Sequence, residues 1–255
     1  MSDAALHLWT ASDGIKLAYY EVGEGRPVVL LHGLFSDAQM NWIKFGHAER
    51  IAGEGFRVIM PDLRAHGQSG KPHDPASYPA GILVRDLRDL IDHLGLEQFD
   101  LGGFSLGART SIDAISNGLR PRRAILAGTG LSVLSNWDRR SRFFLEAIER
   151  FDEARRGDPH WLSIQFMRTM HVDRLAASLL LKAHGDHPEP ERALAAIKMR
   201  SLVVCGSEDD ENGSARELSE ALPNAEYREI PGTHMSSVTK PDLGEEIARF
   251  LAQSG

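Results

Sequence analysis

The 255-residue chain has one cysteine, Cys205, inside the apolar run LVVCG. It can form no internal disulfide, and a lone cysteine in such a run reads as a small buried apolar residue. No stretch reaches the roughly 18 uninterrupted apolar residues that a membrane span needs. The opening segment MSDAALHLWTASDG lacks the basic start and apolar centre of a signal peptide, so a soluble, cytoplasmic protein is expected. Basic clusters are missing too: 29 Lys and Arg stand against 36 Asp and Glu, a formal net charge of -7, which excludes a nucleic-acid backbone as the partner. GEGRP (23–27) has neither the lysine nor the spacing of a phosphate loop. GGFSLG (102–107) lacks the first Gly-x-Gly of a dinucleotide fingerprint, and no acidic residue ends the next strand. HGDH (184–187) sets His184 and His187 three apart with no cysteine near, which does not make a zinc site. No cofactor and no metal are expected.

What is present is ordinary globular composition, 42% hydrophobic and 25% charged. The length suits one large domain or a domain with an insertion. IKLAYYEV (15–22) reads as a strand, and VVLL (28–31) and FRVIM (56–60, ended by Pro61) as buried strands. Residues 39–52 have helical spacing through Met40, Ile43, Ala48 and Ile51. In 82–95, Leu83, Leu87, Leu90, Ile91 and Leu94 share one helical face, and Gly95 is a natural stop. FDLGGF, RRAILAG, RSLVVCG and AEYREI read as further strands; SLGARTSIDAISNG, SARELSEAL and DLGEEIARFLAQ read as helices. Alternating strands and helices imply an α/β fold, a parallel sheet with crossover helices on both faces.

Residues 131–198 break the alternation. WDRRSRFFLEAIERFDEARR, PHWLSIQFMRTM and VDRLAASLLLKAH read as helices, and GDHPEP as a loop. An insertion after a strand's C-terminal end would overhang the crevice where open α/β sheets bind ligands. It is therefore read as a helical cap over 131–198 on a core of 1–130 and 199–255. Trp137, Trp161, Phe143, Phe144, Phe166, Met167 and Met170 are helix core in general, but some of them would line a pocket under such a lid.

Gly103-Phe-Ser-Leu-Gly107 holds a serine between two glycines, a pattern that roughly one chain in six of this composition carries by chance, so its context decides. Ser105 lies where a strand meets a helix, the sharp turn that exposes a nucleophilic hydroxyl, and a Cβ at either glycine would clash there. A serine needs a base, and of the 11 histidines only His234 follows a late strand in a loop, after Pro231-Gly232. The base needs a carboxylate. LVVCGSEDDENG offers Glu208, Asp209, Asp210 and Glu211; with Asp210 and Glu211 read as solvated turn, the order is Ser105, Asp209, His234. The backbone N–H of Leu106 is one candidate oxyanion donor and that of Leu34, in HGLFSDA, the second. His32 reads as a structural residue that ties this loop by hydrogen bonds.

LLHGL (30–34), PDLRAHGQS (61–69), GFSLG (103–107), CGSED (205–209) and PGTH (231–234), in that order, resemble the landmarks of the serine-dependent α/β-hydrolase superfamily, and the resemblance spans nearly the whole chain. It implies a mostly parallel eight-stranded sheet flanked by helices, with a helical cap inserted after RRAILAG. The family's Gly-x-x-Asp falls on Gly206 to Asp209 and favours Asp209 over Asp210; its first oxyanion position falls on Leu34. Ala65 replaces the second residue of the common Arg-Gly-His-Gly form, and Thr233 stands where Gly or Ala is frequent. Met235 stands where carbon–carbon bond hydrolases often carry Trp. Haloalkane dehalogenases and epoxide hydrolases use an Asp nucleophile, which Ser105 disfavours. HMSSVTKP is similar to the segment around the histidine of 3-oxoadipate enol-lactonases. The expectation is a serine hydrolase that cleaves a small carboxylic ester or lactone with water through an acyl-enzyme. The alternatives are a carbon–carbon bond hydrolase, a perhydrolase or haloperoxidase-like activity on the same triad, and a non-catalytic ligand-binding receptor.

Overall fold

The computed structural model describes residues 4–183, 189–211 and 213–253; His184 and His187 lie outside the described residues. Eight strands form one sheet: β1 (Ala5–Thr10), β2 (Lys16–Val22), β3 (Arg26–Leu31), β4 (Phe56–Asp62), β5 (Asp100–Phe104), β6 (Arg123–Ala127), β7 (Arg200–Gly206) and β8 (Ala225–Ile230). Their spatial order is β1-β2-β4-β3-β5-β6-β7-β8. β2 runs antiparallel to β1 and β4, and the other pairs are parallel. The chain leaves β3 for β4 on one side and returns to β5 on the other. The β3/β5 junction is therefore a topological switch point, where a crevice opens beyond the strand ends.

The central parallel strands β3, β5 and β6 are buried on both faces, which explains their continuous apolar runs, whereas β8, at the sheet edge, is mostly half-buried. α2 (Ile82–His93), α3 (Leu106–Ser116) and α8 (Ala215–Ala221) cover one face through Leu83, Leu87, Ile112, Ile115 and Leu218. α1 (His47–Gly53) and α10 (Pro241–Ala252) cover the other through Ile51, Leu243, Ile247 and Phe250. Between β6 and β7 come a 3-10 turn (Leu131–Leu134), α4 (Trp137–Glu149), α5 (Trp161–Thr169), α6 (Arg174–Ala183) and α7 (Pro190–Ala196). α4 packs on α5 and α6, whereas α7 packs against α3 of the core. No helix among the described residues is long and apolar enough to cross a membrane.

Three local expectations are corrected and one strand is added. The helix over 39–52 is broken: a π-helical turn spans Gln39–Ile43, and α1 starts only after Gly46, whose φ of 76° no helix accommodates. β4 runs past Pro61 to Asp62, because its pairing with β3 ends at Ile59 and the missing proline N–H costs no bond there. β1 is a strand that no pattern announces. It is an edge strand with only Trp9 buried, so the alternation of a half-buried strand is absent. His234 lies not in a loop but at the start of α9 (His234–Ser237).

Two buried imidazoles join the loops that follow β3 and β4. His32 Nε2 accepts the Leu63 N–H at 2.9 Å, so its Nδ1–H donates to the Gly33 carbonyl at 2.8 Å. His66 Nε2 accepts the Phe35 N–H at 3.1 Å, and its Nδ1–H donates to the Arg64 carbonyl at 3.0 Å. Neither ring has room for a second proton without losing an amide partner. Burial pushes His32 down to about 4 and His66 down to about 3. Free in the unfolded chain, each binds a proton from about pH 6.5 downwards while the folded ring stays neutral. Stability is therefore lost as pH falls from about 6.5 towards 4, by up to about 1.4 kcal/mol per pH unit for each ring. Urea unfolding should register this. The free energy of unfolding of His66→Gln should fall less steeply between pH 6 and 5 than that of the wild type, by about 1 kcal/mol per pH unit. Equal slopes would contradict the neutral-latch account.

Candidate active site

Ser105 occupies the turn between β5 and α3 at φ 53° and ψ -109°, outside the regions an L-residue prefers. The turn is this tight because two neighbours have no side chain. A Cβ on Gly107 would lie 2.2 Å from the Leu31 carbonyl oxygen, and one on Gly103 would lie 2.5 Å from the Gly107 carbonyl carbon. α3 therefore packs directly on β3, and Ser105 is presented at the strand ends with its N–H bonded to the Ala127 carbonyl at 2.9 Å.

His234 and Asp209 converge on this hydroxyl. Thr233 caps α9, with reciprocal bonds to Ser236, and this fixes the backbone that carries His234. His234 Nδ1 is 2.8 Å from Asp209 Oδ2, and Nε2 is 3.0 Å from Ser105 Oγ. The carboxylate only accepts, so the Nδ1 side carries the proton and the Nε2 lone pair faces the serine. Of the four acids after β7, Asp209 alone is buried. Burial pushes its carboxyl up, but the hydrogen bond and charge of His234, the Cys205 thiol (3.4 Å) and the Glu211 N–H (3.2 Å) outweigh it and hold the group below the usual carboxylate range. The Cys205 thiol is itself pushed well up by burial and by the Asp209 charge, so it stays protonated.

Leu34 and Leu106 both border the cavity above Ser105. Leu106 is the first residue of α3, so its N–H has no acceptor within the helix. In the loop after β3, the Gly33 N–H donates to Asn41 Oδ1 at 3.0 Å, the Phe35 N–H to His66 and the Ser36 N–H to the Gly33 carbonyl. Of the amides from Gly33 to Ser36, only that of Leu34 donates to no acceptor among the described residues. Asn41 and His66 thus hold this loop. Asn41 gives no signal, since it sits in a stretch that reads as plain helix; His66 stands in the landmark PDLRAHGQS, but nothing in that pattern tells that its ring bonds the loop after β3.

The cavity has a volume of about 620 Å³. Its floor is Ser105, Leu34, Leu106 and His234, and its walls include Phe35, Phe45 and Phe104. The far wall comes from Trp137, Arg140 and Phe144 of α4 and from Leu162, Ser163 and Phe166 of α5. Of the seven aromatic and methionine residues of the insertion considered as lining candidates, Trp137, Phe144 and Phe166 face it; Met167 is buried in the helical core instead. Among the described residues no cluster of His, Cys, Asp or Glu is placed to hold a metal ion. Such a site can take a proton from an alcohol, hold charge on an oxygen, and do both in an apolar enclosure.

A family model described as alpha/beta hydrolase fold matches residues 26–196. Epoxide hydrolase 3 of Siraitia grosvenorii is 37% identical over 106 residues, covering 42% of this chain and 33% of its own. The chain spans about a third of the length of the Siraitia epoxide hydrolases that it matches. The non-heme chloroperoxidase CPO-A1 of Kitasatospora aureofaciens is 35% identical over 280 residues, covering 96% of this chain and 97% of its own. The crystal structure of the enol-lactonase from Burkholderia xenovorans LB400 superposes with a TM-score of 0.74 at 22% identity, over 97% of this chain and 100% of that one, a likeness of fold. With its eight-stranded, mostly parallel sheet and this family match, the chain belongs to the α/β-hydrolase fold family.

Proposed function

We propose that the chain is a serine hydrolase that cleaves a carboxylic ester or lactone through an acyl-enzyme. The observation that carries this reading is the pair of bonds joining Ser105 Oγ to His234 Nε2 at 3.0 Å and His234 Nδ1 to Asp209 Oδ2 at 2.8 Å on the floor of a cavity. Ser105 Oγ attacks the carbonyl carbon as its proton passes to His234 Nε2. The charge formed on the carbonyl oxygen is met by the N–H groups of Leu34 and Leu106, and Asp209 stabilises the imidazolium. The C–O bond breaks, His234 returns the proton to the leaving alkoxide, and water, deprotonated by His234, releases the acid and restores Ser105. In this reading residues 131–198 form the cap: α4 and α5 wall the cavity, and α7 returns the chain to the core. The aromatic walls suit an uncharged, largely apolar substrate. A cytoplasmic location, expected from the sequence, belongs to the same proposal.

The relatives named epoxide hydrolases do not change this reading. A serine that opened an epoxide would form an ether, which has no carbonyl for water to attack, so turnover would stop. A second reading has support from the relative named a non-heme chloroperoxidase, which matches along nearly the whole chain. In it, hydrogen peroxide replaces water as the acceptor of the acyl group, and a peracid leaves.

Hydrolysis of a small aryl ester tests the proposal. Ser105→Ala should lose at least about 10³-fold in kcat, and Asp209→Asn about as much, whereas Asp210→Asn on its exposed neighbour should stay within about twofold. Activity retained in Asp209→Asn and lost in Asp210→Asn would overturn the assignment of the acid. With hydrogen peroxide added, the second reading expects peracid, seen by oxidation of iodide, at a rate that Ser105→Ala abolishes. Peracid no faster than in that variant removes it.

A further inference from the structure

The acid of the site is held from the cap side. Arg140, on α4, reaches out of the insertion to the loop after β7: its Nη1–H donates to the Glu211 carbonyl oxygen at 2.8 Å, and Nη2 is 3.5 Å from Glu211 Oε2. The N–H of the same Glu211 donates to Asp209 Oδ1 at 3.2 Å, and Asp209 Oδ2 accepts the hydrogen bond of the His234 Nδ1–H at 2.8 Å. One residue thus receives the cap arginine on its carbonyl and supports the carboxylate with its amide. The arginine is not a surface flourish, since its side chain is only 16% exposed, with the guanidinium 5.6 Å from the Phe144 ring. Phe144 in turn packs edge-on against Phe35 of the loop that carries Leu34, with ring centroids 5.5 Å apart. A single helix turn of α4 therefore touches both the acid loop and the oxyanion loop. The root of the insertion adds a further tie, from the Leu131 N–H to the Ser214 carbonyl at 3.1 Å.

We infer that Arg140 is a positioning residue: by holding the Glu211 backbone it fixes the carboxylate of Asp209, so that the site is fully assembled only when α4 lies against the core. An exposed ion pair contributes little, but a guanidinium bonded to a backbone carbonyl in a half-closed site fixes a loop in one place. The inference rests on the assignment of Asp209 as the triad acid.

Arg140→Met keeps the stem and removes the donors. On an aryl acetate, too small to depend on the far wall, kcat should fall about tenfold with KM within about twofold. The acid limb of the pH–rate profile should move to lower pH, because a loosened carboxylate stabilises the imidazolium less. In an Asp209→Asn background the same substitution should change kcat by less than about twofold, since its route is already cut. Arg140→Lys should recover part of the rate, as an ammonium can still reach the carbonyl; it carries the test if thermal melting reveals that the Met variant does not fold. A rise in KM with the pH limb unmoved, or equal losses in both backgrounds, would overturn the inference and leave Arg140 a wall residue. A readout independent of turnover is the low-field proton NMR signal of His234 Nδ1–H, assigned by its loss in His234→Gln. It should broaden and exchange faster in Arg140→Met, and an unchanged signal contradicts the inference even if the protein hydrolyses no ester.

Discussion

A serine held at φ 53° is costly, by about 1–3 kcal/mol, and it persists only where the surroundings leave the chain no other course. Here the surroundings are the direct contact of α3 with β3. Gly103 and Gly107 leave no space between helix and strand, and Leu31 fills what a side chain would need. Everything else at the site is measured from that contact. It aims the hydroxyl out of the sheet, brings the N-terminal amide of α3 beside it, and sets both against the loop that follows β3. The switch point between β3 and β5 then supplies the crevice in which these groups meet.

Three of the buried histidines divide by environment into two kinds. His32 and His66 are wholly enclosed, each spending both nitrogens on backbone groups, and burial holds them neutral. They act as fixed connectors between loops, a task a protonated ring could not perform. His234 has one nitrogen on a buried carboxylate and the other on a hydroxyl at the cavity floor. It alone among the three is placed to exchange a proton with something that enters. The carboxylate beside it is kept ionised by donors from three directions, one of them the amide of Glu211, whose carbonyl receives Arg140 of α4.

Much of the core was legible in the sequence because burial on both faces leaves continuous apolar runs, and the Gly103-Ser105-Gly107 spacing, which chance also produces, was legible as a tight turn because an apolar strand precedes it and a helical pattern follows it. The place after a strand left four acids, and the Gly-x-x-Asp of the family resemblance pointed to Asp209, which is the buried one of the four. Other features left no trace. β1 buries one residue and so has no period. α7 and α9 are too short to have a periodicity. The break at Gly46 depends on a backbone angle that the apolar spacing of 39–52 conceals. His66 and Arg140 act through backbone partners 31 and 71 residues away and Asn41 through one eight residues away, and the bond a side chain makes to a peptide group has no composition or spacing to betray it.

Family membership fixes the scaffold, and relatives whose names denote epoxide hydrolases and a chloroperoxidase share it, so the scaffold does not select the reaction. The central claim is chemical: Ser105 becomes covalently acylated. It is tested most directly by treating the protein with a serine-directed aryl phosphonate and locating the adduct by peptide mass spectrometry. The account predicts one adduct, on Ser105, absent from Ser105→Ala. No adduct, or one that persists when Ser105 is replaced, would contradict it.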